Sequence, residues 1–343
     1  MEKSVLKDLV MLPSPSGFEF MAENYIRSLE FTKEYIFEKD NIGNLYFWHR
    51  RSEEEETLPT EKVMISAHLD EIGLTILSKT SDNLYRVGEI GGIDRKVLEG
   101  QRVWCYPDPI GNPKKVLKGV IGKTPIHLEK RKERDKVEEI EDIMVDFGEL
   151  PFADEPGIGS PIVIEKHFTD LPGGLFAAPG LDDKAGIWVV LDLMDRLKDT
   201  ELSCDLVFVL MAQEETGLRG ATIAARRVNP TVSIDLDVSF ALDEGRPETY
   251  LPKETIKLGD GPILVYGPDK DYGLMKELKS LAPRVQESVS VSGGTNTWTI
   301  QLNSDDCKTA LVSIPQRNMH TPVEVCAWKD LEACSDMIFN YIK

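Results

Sequence analysis

The sequence is poor in basic residues and has no long apolar run. Lysine and arginine number 40 against 59 acidic residues, so the net charge is −19 at pH 7. A chain this acidic lacks the cationic surface that binds a phosphate backbone, which argues against a nucleic-acid partner. No apolar stretch approaches the roughly 20 residues of a membrane-spanning helix, and the N-terminus does not read as a secretory signal. We therefore expect a soluble cytoplasmic protein with no membrane partner.

Cysteine is also scarce, and it is not arranged in pairs. The five cysteines, at positions 105, 204, 307, 326 and 334, are odd in number and include no Cys-x-x-Cys motif. This pattern is typical of free thiols in a reducing compartment. The 343 residues, 41% of them hydrophobic, are enough for a large core and for two domains.

What the sequence does contain is an alternation of apolar strand-like segments with helical segments. Strands are predicted at 62–67, 206–212, 233–240 and 310–315, and helices near 187–197, 220–227, 272–281 and from 328 onward. Such alternation predicts an α/β fold with a mostly parallel mixed sheet and helices on both faces. Residues 70–165 differ, because short alternating segments are separated by glycine and proline turns, which is typical of a small β-rich unit. We expect one α/β domain, residues 1–69 and 166–343, interrupted by a β-rich inserted domain at 70–165.

Two adjacent carboxylates, Glu214 and Glu215, follow the apolar run at 206–212. In an open α/β sheet, ligands bind at the carboxyl ends of the strands. Two glutamates at such an end can point in different directions, so that one binds a metal and the other handles a proton. The alternative is an ordinary solvated loop, with glutamates that favour the N-terminus of the next helix.

Further acidic and histidine residues lie within or beside predicted elements, namely His68, Asp70, Asp182, Asp237 and His320. Two histidines and three carboxylates are the ligands that a pair of divalent metals about 3.5–4 Å apart would need. Structural alternatives exist for each of them. A histidine at a strand end is commonly a structural residue, an Asp-Asp pair before a helix is ordinarily an N-cap, and Asp235 is an equally acidic neighbour of Asp237. The residues alone therefore indicate only a candidate metal site.

Four segments occur in the order found in one known family. They are Ala67-His68-Leu69-Asp70-Glu71-Ile72-Gly73, Leu181-Asp182-Asp183-Lys184-Ala185-Gly186, Gln213-Glu214-Glu215-Thr216-Gly217-Leu218-Arg219-Gly220 and Met319-His320-Thr321-Pro322-Val323-Glu324-Val325. With them the chain resembles the tetrahedral (TET) aminopeptidases, the glutamyl-aminopeptidase-like family of dinuclear metallopeptidases. The resemblance covers nearly the whole chain, including the inserted segment with Gly119-Val120-Ile121-Gly122-Lys123.

The resemblance implies an enzyme that removes N-terminal residues from peptides with water activated by two divalent metals, zinc or cobalt. It places His68 and Glu215 on opposite metals, with Asp182 bridging them. Asp237 would share a metal with His68, and His320 would complete the other. Glu214 would be the general base and Asp70 would orient His68, as a partner of the imidazole's second nitrogen.

The resemblance also implies a homo-oligomer, because the inserted segment is similar to the family's dimerisation domain, whose dimers build a hollow dodecamer. The chain departs from the family at one place. Family members commonly carry Gly-Gly-Thr-Asp-Ala, where this sequence has Gly293-Gly294-Thr295-Asn296-Thr297-Trp298. The preferred N-terminal residue therefore stays open. Two other functions also stay open, a glycoside hydrolase working with two carboxylates and a non-catalytic scaffold homologue.

Overall fold

The computed structural model describes residues 1–49, 61–81, 83–128, 130, 136–242, 256–291 and 294–343. The α-helices of these residues are α1 (Lys3–Met11), α2 (Phe20–Ser28), α3 (Leu181–Leu197), α4 (Arg219–Val228), α5 (Tyr272–Ser280), α6 (Asn296–Asn303) and α7 (Trp328–Ile342). The strands of the first half are β1 (Ile36–Lys39), β2 (Leu45–Trp48), β3 (Lys62–His68), β4 (Gly73–Lys79), β5 (Leu84–Ile90), β6 (Arg102–Cys105), β7 (Leu117–Ile121), β8 (Met144–Asp146) and β9 (Pro161–Ile164). Those of the second half are β10 (Thr169–Leu171), β11 (Leu175–Ala178), β12 (Asp205–Met211), β13 (Val232–Phe240), β14 (Ile263–Tyr266), β15 (Gln286–Val289), β16 (Lys308–Gln316) and β17 (Glu324–Ala327).

An eight-stranded mixed sheet forms the centre of the molecule, in the order β1-β2-β12-β3-β13-β16-β14-β15. Its four middle strands, β12, β3, β13 and β16, are parallel to one another. Alternate residues of β3 point to opposite faces, since Val63 and Ile65 pack with α1, α3 and α7 whereas Met64 packs with α4 and α6. Both faces are therefore covered by helices, and the predicted α/β fold class is confirmed.

A closed six-stranded barrel, in the order β4-β5-β8-β7-β6-β9, lies between β3 and β10 in the chain. Its strands run from residue 73 to residue 164, inside the segment predicted to be β-rich, and it has a hydrophobic core of its own. The chain enters and leaves the barrel beside the carboxyl end of β3. Buried Glu71 on the entering segment forms an ion pair with buried Lys166 on the leaving segment, and Lys184 of α3 reaches the same carboxylate at 3.0 Å.

Several elements were not predicted from the sequence. The strands β14 and β15 and the short antiparallel sheet β10-β11-β17 are only three or four residues long, and α6 is eight residues long. Segments this short have too few positions to show a hydrophobic period. All five cysteines lie in the described residues, and they form no disulfide bond. Among the helices described, none has the length and apolarity needed to cross a membrane.

Candidate metal centre

The candidate ligands converge at the carboxyl ends of the four middle strands. His68 is the last residue of β3, and Met211, its partner in the register, is the last of β12. The chain then turns from β12 through Gln213 to Glu214 and Glu215. Asp237 lies on β13, and His320 follows β16. Because parallel strands end at one edge of the sheet, segments far apart in the sequence meet at this edge.

Asp182 lies between the two histidines. It is the second residue of α3, where Asp182 and Asp183 have non-helical backbone angles and are joined by a cis peptide bond. Its Oδ1 is 2.9 Å from Nε2 of His68, and its Oδ2 is 3.2 Å from Nε2 of His320. One carboxylate therefore contacts both imidazoles.

Two overlapping groups of three side chains surround this carboxylate. His68, Asp182 and Asp237 form one group, and Asp182, Glu215 and His320 form the other, with the ligand atoms of each group within 4.8 Å of one another. The Nε2 atom of His68 is 4.0 Å from Oδ1 of Asp237, and that of His320 is 3.3 Å from Oε1 of Glu215. Imidazole and carboxylate together suit zinc and similar divalent ions. The only residue common to these two groups is Asp182.

The alternative acidic neighbour, Asp235, is placed differently. Its Oδ1 accepts a hydrogen bond from Ser66 at 2.5 Å, and it belongs to none of the ligand groups found among the described residues. Asp235 and Asp237 point to the same face of β13, but Asp237 is nearer the carboxyl end of the strand, where His68 lies. The structure therefore favours Asp237 over Asp235 as a ligand.

The electrostatics of the cluster also suit cations. Burial raises the pKa of Asp237 well above its usual range, and the nearby charge of Asp182 raises it further. Burial likewise raises the pKa of Glu215. The hydrogen bonds to Asp182 and Glu215 raise the pKa of His320 to about 11. Crowded buried carboxylates retain protons when no cation neutralises them, so a divalent ion in each group would replace those protons. The donor set fits two such ions.

Glu214 lies beside the two groups. Burial raises its pKa to about 9; His68 opposes this shift, whereas the charges of Asp237 and Glu215 add to it. Glu214 shares a possible ligand group with His68 and Glu215, and it lines the same cavity as the candidate ligands. A carboxylate in this position can exchange a proton with a molecule bound at the ligands.

Asp70 supports the site mainly through the backbone of the Glu214–Glu215 segment. Its Oδ1 accepts the amide N–H of Glu214 at 2.9 Å, and its Oδ2 accepts that of Glu215 at 3.1 Å and the hydroxyl of Ser16 at 2.5 Å. The Nδ1 atom of His68 is 3.0 Å from the backbone carbonyl oxygen of Asp70 and 3.5 Å from its carboxylate. Both groups of Asp70 therefore approach the second nitrogen of His68, and the carbonyl oxygen is the nearer of the two.

Sequence reasoning missed three contributors to the site, Glu19, Gly92 and Glu324. The carbonyl oxygen of Gly92, in the barrel, lies 2.7 Å from Nδ1 of His320. Glu19 and Glu324 are buried glutamates that accept backbone N–H groups of the site segments. Glu324 stands inside one of the four quoted motifs, four residues after His320. That spacing was the signal that could have identified it.

A cavity of about 430 Å³ opens above the candidate ligands. Val238, Val265 and Leu311 give it apolar walls, and Ser288 and Thr295 add hydroxyl groups. Lys270 also lines it, with its ammonium 2.8 Å from the carboxylate of Asp269. At the place where the sequence departs from the family, Gly293 lies outside the described residues, Asn296 is fully buried and Trp298 is partly exposed. Neither of these two side chains lines the cavity.

The chain is similar to known proteins in both sequence and structure. The family model for the M42 glutamyl aminopeptidases matches residues 43–337. A lysyl aminopeptidase of Pyrococcus furiosus is 30% identical over 343 residues, covering 96% of this chain and 93% of the relative. The structure of an aminopeptidase from Desulfurococcus kamchatkensis superposes with a TM-score of 0.87 at 28% identity, covering 99% of this chain and 93% of that one. A TET1 peptidase of Pyrococcus horikoshii, described as assembling into a tetrahedron or a large octahedral shell, has a TM-score of 0.84 at 28% identity and covers 99% and 98%. The chain therefore belongs to the M42 glutamyl aminopeptidase family and is a metal-dependent aminopeptidase, as its motifs predicted.

Proposed function

We propose that the aminopeptidase site is dinuclear, with Asp182 shared between two divalent metals. His68 and Asp237 would complete one metal's ligands, and Glu215 and His320 the other's. The observation that carries this assignment is the overlap of two ligand groups at a single carboxylate, whose two oxygens face different histidines. Zinc or cobalt suits this mixture of imidazole and carboxylate ligands.

Divalent metals in these groups would supply Lewis-acid polarisation of the scissile carbonyl and of the attacking water. The other steps belong to the protein. The Glu214 carboxylate accepts the proton of the attacking water, and the same group then donates that proton to the nitrogen of the leaving peptide. Asp70 holds the backbone N–H groups of Glu214 and Glu215, so that the base and one ligand keep a constant separation during proton transfer.

The cavity above the ligands would hold the N-terminal residue of a peptide. Its apolar walls and few hydroxyl groups are typical of a site that binds a side chain and leaves one direction open for the rest of the chain. The charge of Lys270 is balanced by Asp269, so the cavity wall brings no unpaired charge from this residue. The proposed substrates are therefore short peptides with a free N-terminus.

The test combines metal analysis with a set of aminoacyl reporter substrates. We expect two metals per subunit and chelator-sensitive release of the N-terminal residue. Glu214→Gln keeps the size of the side chain but cannot take up the proton, and it should lower kcat by about 10²–10⁴-fold with both metals retained. Glu23→Gln is the matched control, since Glu23 is a buried glutamate of α2 bonded to Lys39. Protein that binds no metal would favour a scaffold homologue, and chelator-resistant cleavage of a glycoside would favour a glycoside hydrolase.

We also propose that the chain forms a homo-oligomer, with the barrel as the contact surface within dimers that assemble into a larger shell. Three large apolar side chains of the barrel segment, Ile110, Phe152 and Ile158, are more than 80% exposed. Exposed apolar groups of this size are typical of association surfaces. The shell-forming P. horikoshii relative supports the same assembly mode for this chain.

A further inference from the structure

Two residues in the segments that carry the site have backbone conformations that side-chain-bearing residues rarely adopt. Gln213, which precedes the two glutamates, has φ of +56°, and His320 has φ of +61°. For residues other than glycine this left-handed region is sparsely populated, and it persists only where surrounding contacts enforce it. Neither residue is a glycine or an asparagine, so each conformation calls for a structural cause.

In both cases a buried glutamate accepts a hydrogen bond from the residue's own amide N–H. The N–H of Gln213 donates to Oε1 of Glu19 at 3.0 Å, and the N–H of His320 donates to Oε1 of Glu324 at 2.9 Å. Glu19 is 3% exposed and Glu324 is 1% exposed. A buried carboxyl group that accepts backbone N–H groups restrains them, because loss of the bond would leave polar groups unpaired inside the protein.

The two glutamates use their oxygens differently. Glu324 uses both, because Oε2 accepts the N–H of Asp182 at 3.2 Å while Oε1 holds His320. Glu19 uses one of them twice, because Oε1 accepts the N–H of Gly17 at 2.9 Å as well as that of Gln213. Glu324 and Asp70 together hold the backbone of four proposed site residues, and Glu19 holds Gln213, which directly precedes two of them.

We propose that Glu324 and Glu19 are positioning residues, which hold the ligand-bearing segments in their left-handed turns without touching substrate or metal. Glu324 sets the separation between the shared ligand, Asp182, and His320. Glu19 sets the turn from which Glu214 and Glu215 project. The inference rests on the proposed dinuclear site, and it adds that this site is arranged by backbone contacts as well as by its ligands.

Because the two glutamates use their carboxylate oxygens differently, we expect substitution by glutamine to have opposite effects at positions 324 and 19. In Glu324→Gln one acceptor oxygen becomes an NH₂ donor, which must face the N–H of either Asp182 or His320. One of the two bonds is then lost whichever way the amide turns. In Glu19→Gln the amide oxygen can take the place of Oε1 and keep both bonds. Side-chain size is retained in both variants, so both are expected to fold.

The experiment measures metal affinity by titration calorimetry with Zn²⁺, together with kcat, KM and unfolding temperature. Partners of metal ligands typically contribute about 10–100-fold to affinity or activity. Glu324→Gln should therefore weaken Zn²⁺ binding and lower kcat in that range. Glu19→Gln should keep kcat within a few-fold of the wild type, whereas Glu19→Ala should lower kcat by about tenfold or more and change KM little. Glu23→Gln, on α2, changes a glutamate that belongs to no candidate ligand group of the described residues, and it should match the wild type in Zn²⁺ affinity, kcat and KM.

Two outcomes would overturn the inference. One is a Glu324→Gln protein with wild-type Zn²⁺ affinity and kcat, and the other is a Glu19→Gln protein as impaired as Glu19→Ala. Failure of the proposed function gives a different result, in which the wild-type protein binds fewer than two Zn²⁺ ions per subunit or binds them and releases no amino acids. In the second case, calorimetry of Glu324→Gln against the wild type would still decide the role of Glu324, because Zn²⁺ binding does not depend on turnover.

Discussion

Replacing Asp182 by alanine should empty both metal positions, whereas replacing His68 should mainly empty one. Asp182 belongs to both the His68–Asp182–Asp237 group and the Asp182–Glu215–His320 group, whereas His68 belongs to only the first of these two. Asp182→Ala therefore reduces each group from three side chains to two. His68→Ala leaves the Asp182–Glu215–His320 group intact.

The size of the effect follows from the binding free energy that one ligand contributes. Structural zinc sites with four protein ligands bind with about 10–16 kcal/mol, so one ligand contributes roughly 3 kcal/mol, or about a hundredfold in affinity. Removing Asp182 also leaves two imidazoles without the carboxylate that lies 2.9 Å from one and 3.2 Å from the other. Asp237 and Glu215 remain near those imidazoles and limit the loss of folding stability.

The assay is metal content per subunit after dialysis, with circular dichroism to confirm folding. We expect two metals in the wild type, about one in His68→Ala, and less than one in Asp182→Ala. Asp235→Asn is the matched control, since this buried aspartate is two residues before Asp237 and belongs to no ligand group of the described residues. Full occupancy in folded Asp182→Ala would refute the shared-ligand assignment.

Three other predictions concern the surroundings of the site. Gly91 has φ of +75°, and a Cβ there would lie 2.8 Å from a methyl of Ile72, so Gly91→Ala should lower kcat. In Gly92→Ala the nearest contact of the added Cβ is at 3.4 Å, so kcat should fall less. Equal rates for the two variants would contradict a role of this loop in arranging the site. Glu71 is buried between Lys166 and Lys184. Burial alone would raise the pKa of Glu71, but the charges of the two lysines outweigh burial and lower this pKa below the usual 4.5. The stabilisation that the Glu71 carboxylate contributes is therefore present above pH 4.5 and is lost as the pH falls through the lowered value. Glu71→Gln should therefore cost about 3–5 kcal/mol of unfolding free energy at pH 7 and less at pH 4 in urea titrations, and a loss independent of pH would be the contrary result. Phe152→Glu should reduce the particle size seen by light scattering with activity on short substrates retained, whereas an unchanged particle would exclude Phe152 from the interface.

The main elements could be predicted because their signals are local. The strand predicted at 62–67 is β3 (Lys62–His68), and the helix predicted near 272–281 is α5 (Tyr272–Ser280). A continuous apolar run marks a strand buried on both faces, and such runs supply most of the main sheet. The short β14 and α6 give no comparable signal. They are held in place by neighbouring elements, such as β16 beside β14.

By itself the sequence determined which residue types stand at the strand ends, and so the seven candidate site residues, while the order of its four motifs indicated the class of enzyme. Only the tertiary structure decided the distances among them. Asp182 lies between two histidines, Asp237 rather than Asp235 lies beside His68, and the carbonyl oxygen of Asp70 is nearer to His68 than the carboxylate of Asp70 is. The tertiary structure also brought Gly92 to His320 across 228 residues and Glu19 to Gln213 across 194. Contacts at such separations depend on strand order and on the direction of each backbone N–H, and these are properties of the packed chain that no local pattern of side chains encodes.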